Sequence, residues 1–306
     1  MSEIIKNRSE IIFIYDIRDG NPNGDPMDEN KPRIDEETGV NLVTDVRLKR
    51  TIRDYLHNFK GQEIFVREII YDTQNGYIQD GKKRAKDFED KPERILNECI
   101  DVRLFGGVIP LKEDSIIYTG PVQFKMGRSL HRVTMMHIKG TGAFASKEGS
   151  KQATFREEDF LPYSLISFYG IINENAAKHT HLTEDDLKLL LEGIWNGTKS
   201  LISRSKAGQV PRLLLKVNYS KENYHIGDLD KMLKLVTEMP HEKIRDTTDY
   251  QIEISELVRK LAAEKSSIKD IEICVDDRIK FCKEEVGFPI EGLAAATGIA
   301  IKPIAF

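Results

Sequence analysis

Apolar and polar positions along this chain switch between two periods, and the switches mark its elements. The run from Glu10 to Ile17 (Glu-Ile-Ile-Phe-Ile-Tyr-Asp-Ile) is apolar and β-branched, which predicts a buried strand. A dense turn cluster follows, Asp19-Gly-Asn-Pro-Asn-Gly-Asp-Pro26, and a polar loop runs on to about Val43. Period 3.6 then takes over. With Thr44 as N-cap and Asp45 in the first turn, Leu48, Ile52, Tyr55 and Leu56 form one apolar stripe of a helix. Residues 61–91 are polar and mixed in charge and read as an insertion of irregular or helical pieces, and Pro92 opens a short helix ending at Gly106-Gly107. Residues 115–124 predict a second strand and 163–172 a third. Between those two, 131–160 has weak periodicity around Gly140 and Gly142 and predicts a protruding hairpin with a basic tip. Thr183 with Glu184, Asp185 and Asp186 starts a second long helix, and 212–219 a fourth strand. The remainder, 222–306, is expected to be mostly helical, with one short strand near 271–275, packed on the same core.

The order strand, helix, strand, strand, helix, strand is the split βαβ pattern of the ferredoxin-like fold that RNA-recognition modules share. An α+β class follows, in a single domain of 306 residues. Hydrophobic content of 40% and charged content of 31% exclude a disordered chain. Apolar runs all fall short of the roughly 20 residues needed to span a bilayer, so no membrane partner is expected. Three scattered cysteines make no disulfide or zinc framework, and the expected compartment is the reducing cytosol.

Charge changes the picture. The chain carries 46 Lys+Arg against 50 Asp+Glu, a formal net charge of −4. Yet residues 115–147 and 193–221 contain no acid, while they carry Lys125, Arg128, Arg132, Lys139 and Lys147, and Lys199, Arg204, Lys206, Arg212, Lys216 and Lys221. A carboxylate there would repel a polyanion threaded between the two segments. Residues 222–291, by contrast, hold 17 acids and 11 bases. The predicted first helix places Arg47, Lys49, Arg50 and Arg53 beside its apolar stripe, just after a loop with Asn21 and Asn23. Loop amides plus a basic helix can cradle phosphate; a turn cluster that only ends a strand fits this element equally well. Ser203, Arg204, Ser205, Lys206, Gln209 and Arg212 combine hydroxyls, an amide and bases suited to phosphate and 2′-hydroxyl contacts without base readout. Arg128 precedes the hairpin, which adds Arg132 and Lys139, with Phe144, Met135 and Met136 as apolar side chains that could wedge between bases. Catalytic signals are thin. His179-Thr-His181 lacks a further ligand, and Asp16, Asp19 and Asp25 read as turn residues before a metal-assisted nuclease site. No catalytic residue, metal or cofactor is expected.

Taken in order, Asp19-Gly-Asn-Pro-Asn-Gly-Asp-Pro26, Val43-Thr-Asp-Val-Arg-Leu-Lys-Arg50, Asp101-Val-Arg-Leu-Phe-Gly106, Thr119-Gly-Pro-Val-Gln-Phe124, Trp195-Asn-Gly-Thr-Lys199 and Ser203-Arg-Ser-Lys-Ala-Gly208 form a specific set. It resembles the backbone ("Cas-seven") subunit of type I CRISPR Cascade, in the repeat-associated (RAMP) superfamily, most closely the type I-B branch. The resemblance implies a palm on an RNA-recognition core with inserted fingers (61–100) and thumb (131–160), and polymerisation along a guide RNA (crRNA). It implies crRNA, target DNA through the guide, further copies of the chain and other Cascade subunits as partners. Lys49 and Arg50 would face the guide backbone, Ser203 to Lys206 would lie on a palm loop, and Phe144 is the candidate wedge. Two rival classes remain: a type III-like subunit that cuts target RNA, with Asp25 the nearest candidate, and a stand-alone single-strand RNA binder.

Overall fold

A computed structural model describes residues 3–111, 114–145 and 153–306, with side chains except those of 141–156. Its centre is strand Ser9–Gly20 (β1), whose residues through Ile17 are all buried. Alternation sends them to two faces: Ile11, Phe13, Tyr15 and Ile17 to one core, Ile12 and Ile14 to another.

Val40–Val43 (β2) leads into helix Asp45–Lys60 (α1), and Thr44 caps it as predicted, its side chain accepting from the Arg47 amide. Strands Val122–Phe124 (β3), Gly127–Arg132 (β4) and Met136–Ala145 (β5) follow, then the 20-residue Ala153–Ile172 (β6). Helix Glu184–Lys199 (α2) opens with the capping box foreseen at Thr183 and Asp186, and Val210–Tyr219 (β7) returns to the sheet. Ile268–Val275 (β8) and Ile301–Pro303 (β9) extend it. The nine strands run β9-β8-β7-β1-β6-β4-β2, with β3 and β5 also paired to β6. The inner order β7-β1-β6-β3/β4 is that of the ferredoxin-like fold. Leu48, Ile52 and Leu56 of α1 and Leu190, Leu191 and Ile194 of α2 pack on one face.

The other face is closed. Residues 222–306 are mainly short strands and turns rather than the helices expected: α-helices there are Ser255–Ala263 and Leu293–Thr297, and Lys234–Val236, Gln251–Glu253, Phe281–Lys283 and Val286–Phe288 form a second sheet. Pro240, Gly287, Pro289 and Gly298 interrupt this stretch too often for long helices. Leu229, Leu235, Ile252, Leu257 and Phe281 from it bury Ile12, Ile14, Leu165 and Leu215 of the main sheet. Glu10 fastens the seam: its buried carboxylate accepts from the Tyr169 and Tyr219 hydroxyls and from the Ile226 and Gly227 amides, the last two at 2.9 Å.

Two further predictions need correction. Residues 115–124 are two strands, because Gly120-Pro121 breaks the run. Ser115–Thr119 pairs with Gly106–Pro110 outside the main sheet, and only Val122–Phe124 joins β6. A Cβ on Gly106 would sit 2.1 Å from the Tyr118 carbonyl oxygen, so this crossing needs glycine. The helix after Pro92 is two helices, Pro92–Glu98 and Ile100–Phe105, divided where the Ile100 amide donates to Glu63 instead. The hairpin stands on β4, which is part of the main sheet; its free-standing ladder pairs Met136 with Phe160 and Ala145 with Ala153.

Candidate nucleic-acid interface

Because both faces of the sheet are covered, a ligand strand cannot lie across it as it does on an open RNA-recognition sheet. The convergence of polar loops lies elsewhere, where three segments meet at the start of α1. The Asn21 amide donates to the Ser205 carbonyl at 2.7 Å, and Asn21 Nδ2 donates to the Asn30 carbonyl at 2.7 Å. Asn23 Oδ1 accepts from the Thr44 amide at 2.8 Å and from its hydroxyl at 2.9 Å. Both asparagines therefore tie the loop after β1 to the 203–206 turn and to the cap of α1. A Cβ on Gly20 would lie 2.9 Å from the Ser205 carbonyl oxygen, which explains a glycine at this junction. The resulting cleft, about 420 Å³, is lined by Asn21, Asn30, Arg204 and Ser205 and by four acids, Glu29, Glu157, Glu158 and Asp159.

The acid-free windows do not survive folding as an acid-free surface. Arg128 pairs with Asp35 at 3.1 Å, Arg132 with Glu242 at 3.0 Å, Lys139 with Glu157 at 2.7 Å and Arg204 with Glu158 at 2.9 Å. Each acid comes from another segment, which a linear window cannot register. These four bases are more than half exposed, and exposed pairs contribute only about 0–1 kcal/mol, so a phosphate can displace the carboxylate.

Two predicted contacts are spoken for. Arg53 Nε lies 2.9 Å from the fully buried Asp101, and its guanidinium sits 5.0 Å from the centre of the Phe105 ring. Arg212 is buried between Asp16, at 2.8 Å, and Asp276, at 2.7 Å. Breaking such a buried pair costs about 3–5 kcal/mol, so both guanidiniums are tied into the framework of the fold. Lys49 reaches Asp45 at 3.0 Å and Gln123 at 3.3 Å; Arg50 reaches Asp54 at 2.5 Å and the Val66 carbonyl at 2.7 Å.

Among the described residues, Arg47 and Lys206 are the two predicted bases without an ion pair. Arg47 donates to the Thr51 hydroxyl at 3.0 Å, and its Nε has no partner. Lys206 donates to the Ser205 hydroxyl at 3.3 Å. Burial holds the Lys206 ammonium below the usual lysine range, and the Arg47 guanidinium pushes it lower still. Burial likewise lowers Arg47, with Asp54 opposing. Gln209, buried below them, has an unpartnered Nε2, and it lines a small pocket with Arg47 and Thr198. Two half-buried cations brought together, neither in an ion pair and with only Asp54 acting on Arg47 from a distance, are unfavourable alone, and an anion between them relieves the cost.

Ser203 is exposed, and its carbonyl closes the turn by accepting from the Lys206 and Ala207 amides. Phe144 is in β5, but its side chain lies outside the described residues. Met135 and Met136 are 38% and 45% exposed at the hairpin base. Asp25 is held by Arg33 at 2.8 Å, and Asp16 is bound to Tyr163 and Arg212. His181 caps the helix Glu174–Thr180 with a left-handed backbone. No group of three metal-ligating side chains occurs among the described residues, and no helix of theirs is long and apolar enough to cross a membrane.

Comparison with known proteins bears on this geometry. The family model for CRISPR-associated protein Cas7 matches residues 7–255. A CRISPR-associated protein Cas7 from Haloferax volcanii is 33% identical over 304 residues, covering 90% of this chain and 88% of the relative. Among solved structures, a chain of a CRISPR RNA-guided surveillance complex in a pre-nicking state superposes with a TM-score of 0.56 at 12% identity, covering 94% of this chain and 100% of its own. A chain of a second such surveillance complex gives 0.55 at 13% identity, covering 94% and 99%.

Proposed function

Since the chain belongs to the CRISPR-associated Cas7 family, we propose that it is the guide-RNA-binding backbone subunit of an RNA-guided surveillance complex of the type I-B Cascade kind. Copies of the chain assemble along crRNA in the cytoplasm beside other Cascade subunits. Target DNA is engaged through base pairing with the guide. Residues 61–100 act as fingers and the 131–160 hairpin as the thumb, with Phe144 the candidate wedge. The protein binds and arranges RNA and does not cut it: Asp25 is committed to Arg33, and Asp16 to Arg212.

The observation that carries this reading is the Arg47–Lys206 pair, two half-buried cations without an ion pair where two loops meet the start of α1. Such a pair fixes a phosphate without reading a base, as a guide of any sequence demands. Lys49, Arg50, Arg128, Arg132, Lys139 and Arg204 extend the contact through displaceable pairs, with Ser203, Ser205 and Gln209 as polar neighbours. Arg47→Ala with Lys206→Ala should weaken binding to unrelated RNA sequences alike. It should also flatten the slope of log affinity against log salt by about 0.7, the share of the one phosphate that the two cations hold between them. Parental affinity at two salt concentrations would refute the site.

A further inference from the structure

Between Arg67 and Lys86 the chain forms a small hairpin that the core does not need. Strands Ile70–Asp72 and Tyr77–Ile78 pair Ile70 with Ile78. Asp72 holds the turn by accepting from the Gln74 amide at 2.9 Å and the Asn75 amide at 3.1 Å, and Gly76 closes it with φ 69°. The local core beneath is Phe65, Ala85, Phe88, Ile95 and Leu96. Tyr71 and Tyr77 stay outside it, 48% and 55% exposed, their rings stacked at 6.2 Å with a 28° interplanar angle. Lys83 Nζ lies 3.4 Å from the centre of the Tyr71 ring. Lys82 and Lys86 are exposed, and neither forms an ion pair among the described residues. Of the acids in this segment, Asp72 holds its turn and Asp80 accepts from the Lys83 amide at 2.8 Å, while Glu68 is exposed.

The root of this hairpin is anchored to the basic helix. Arg50 donates to the Val66 carbonyl at 2.7 Å, and Asp101, paired with Arg53, accepts from the Phe65 and Val66 amides. The helix that carries Arg47 thus also carries the residues that hold the root of the tyrosine hairpin. Side chains with two rotatable torsions, already stacked and flanked by lysines, are what unpaired bases use as a platform, because every base has a π-face.

We propose that the Tyr71–Tyr77 pair is a stacking platform for unpaired bases of the RNA strand whose backbone is held at Arg47 and Lys206, and that it rests on the reading above. The lysines add phosphate contacts, and the platform accepts any base.

The test is fluorescence anisotropy with a labelled 20-nucleotide oligouridylate and with the same strand made abasic. Full-length protein is compared with Tyr71→Ala/Tyr77→Ala, Tyr71→Phe/Tyr77→Phe and Arg47→Ala/Lys206→Ala. The alanine pair should lose about fivefold or more in affinity for the oligouridylate, the lower bound for a single stacked base. The phenylalanine pair should stay within about twofold. The salt slope should not change for either, and the abasic strand should bind parent and alanine pair alike. Unchanged affinity of the alanine pair, or an equal loss on the abasic strand, overturns the platform. So does impaired self-assembly at unchanged affinity, which would assign the tyrosines to a protein contact. A loss for the alanine pair but none for Arg47→Ala/Lys206→Ala would retain stacking and refute the phosphate site.

Discussion

Arg53 and Asp101 form a buried ion pair at 2.9 Å, and the same carboxylate takes the amides of Phe65, at 2.7 Å, and Val66, at 3.1 Å. One side chain therefore joins α1 to the 61–100 segment. Removing it strands a guanidinium and two buried amides. Asp101→Ala should cost about 3–5 kcal/mol in urea unfolding. Arg53→Ala should cost less, because Asp101 keeps its amides. RNA bound by Arg53→Ala should show the parental salt slope, since the guanidinium makes no phosphate contact; a slope reduced by a full contact would return Arg53 to the interface.

The seam between the sheet and residues 222–306 depends on Glu10, 0% exposed, which takes two tyrosine hydroxyls and two amides. Glu10→Ala leaves the two tyrosine hydroxyls and the Gly227 amide without their acceptor, while the Ile226 amide keeps the Tyr219 hydroxyl at 3.2 Å, and should destabilise the protein by several kcal/mol. Early proteolytic cleavage near residues 222–228 would show that the seam opens first. An unchanged cleavage pattern would show that the apolar contact alone holds it.

How much of this was legible beforehand depended on where each signal lies. Thr44, Thr183 and the apolar stripes of α1 and α2 act within one turn of helix, so their spacing reveals them. The inner strand order followed from the alternation of strand and helix. The acid-free windows misled about the finished surface because Asp35, Glu242, Glu157 and Glu158 reach Arg128, Arg132, Lys139 and Arg204 through tertiary contacts. Arg53 and Arg212 look like surface bases in the chain, and buried Asp101 and Asp16 claim them. The Tyr71–Tyr77 hairpin had a readable sign, Asn75-Gly76 between apolar pairs, which is a strong short-range turn signal inside an otherwise polar stretch.

His131 supplies a pH dependence. It is 2% exposed, its Nε2 accepts from the Leu165 amide at 3.2 Å, and its ring stacks on Tyr163. Burial lowers its pKa from 6.5 to about 4, with the Arg132 carbonyl opposing and His241 and Arg245 reinforcing. Between those values the unfolded chain binds the proton and the folded chain does not. The stability is thus complete above about pH 6.5 and declines as pH falls towards 4, by about 3 kcal/mol if the whole shift is expressed. His131→Gln should flatten denaturant midpoints across that window relative to the parent, whatever its own stability. Parallel curves for the two proteins would discount the histidine.

Lys206 supplies the opposite sign, and it reads function instead of stability. Its pKa in the free protein is depressed by burial and by Arg47, so it loses its proton on the alkaline side at a lower pH than an ordinary lysine. A phosphate between the two cations favours the charged form, so binding RNA should raise that pKa and take up protons at alkaline pH. Affinity should fall as pH rises through the free-state value, and the fall should begin below the usual lysine range. Lys206→Arg keeps the charge at every accessible pH, so it should bind at neutral pH within a few-fold of the parent and lose the alkaline fall. Lys206→Ala should bind weakly throughout and also lose the fall. Isothermal titration in two buffers of different ionisation enthalpy, at pH 7 and at pH 9.5, measures the proton uptake directly. If parent and Lys206→Arg show the same alkaline profile, the titrating group is another residue, and the phosphate does not lie between Arg47 and Lys206.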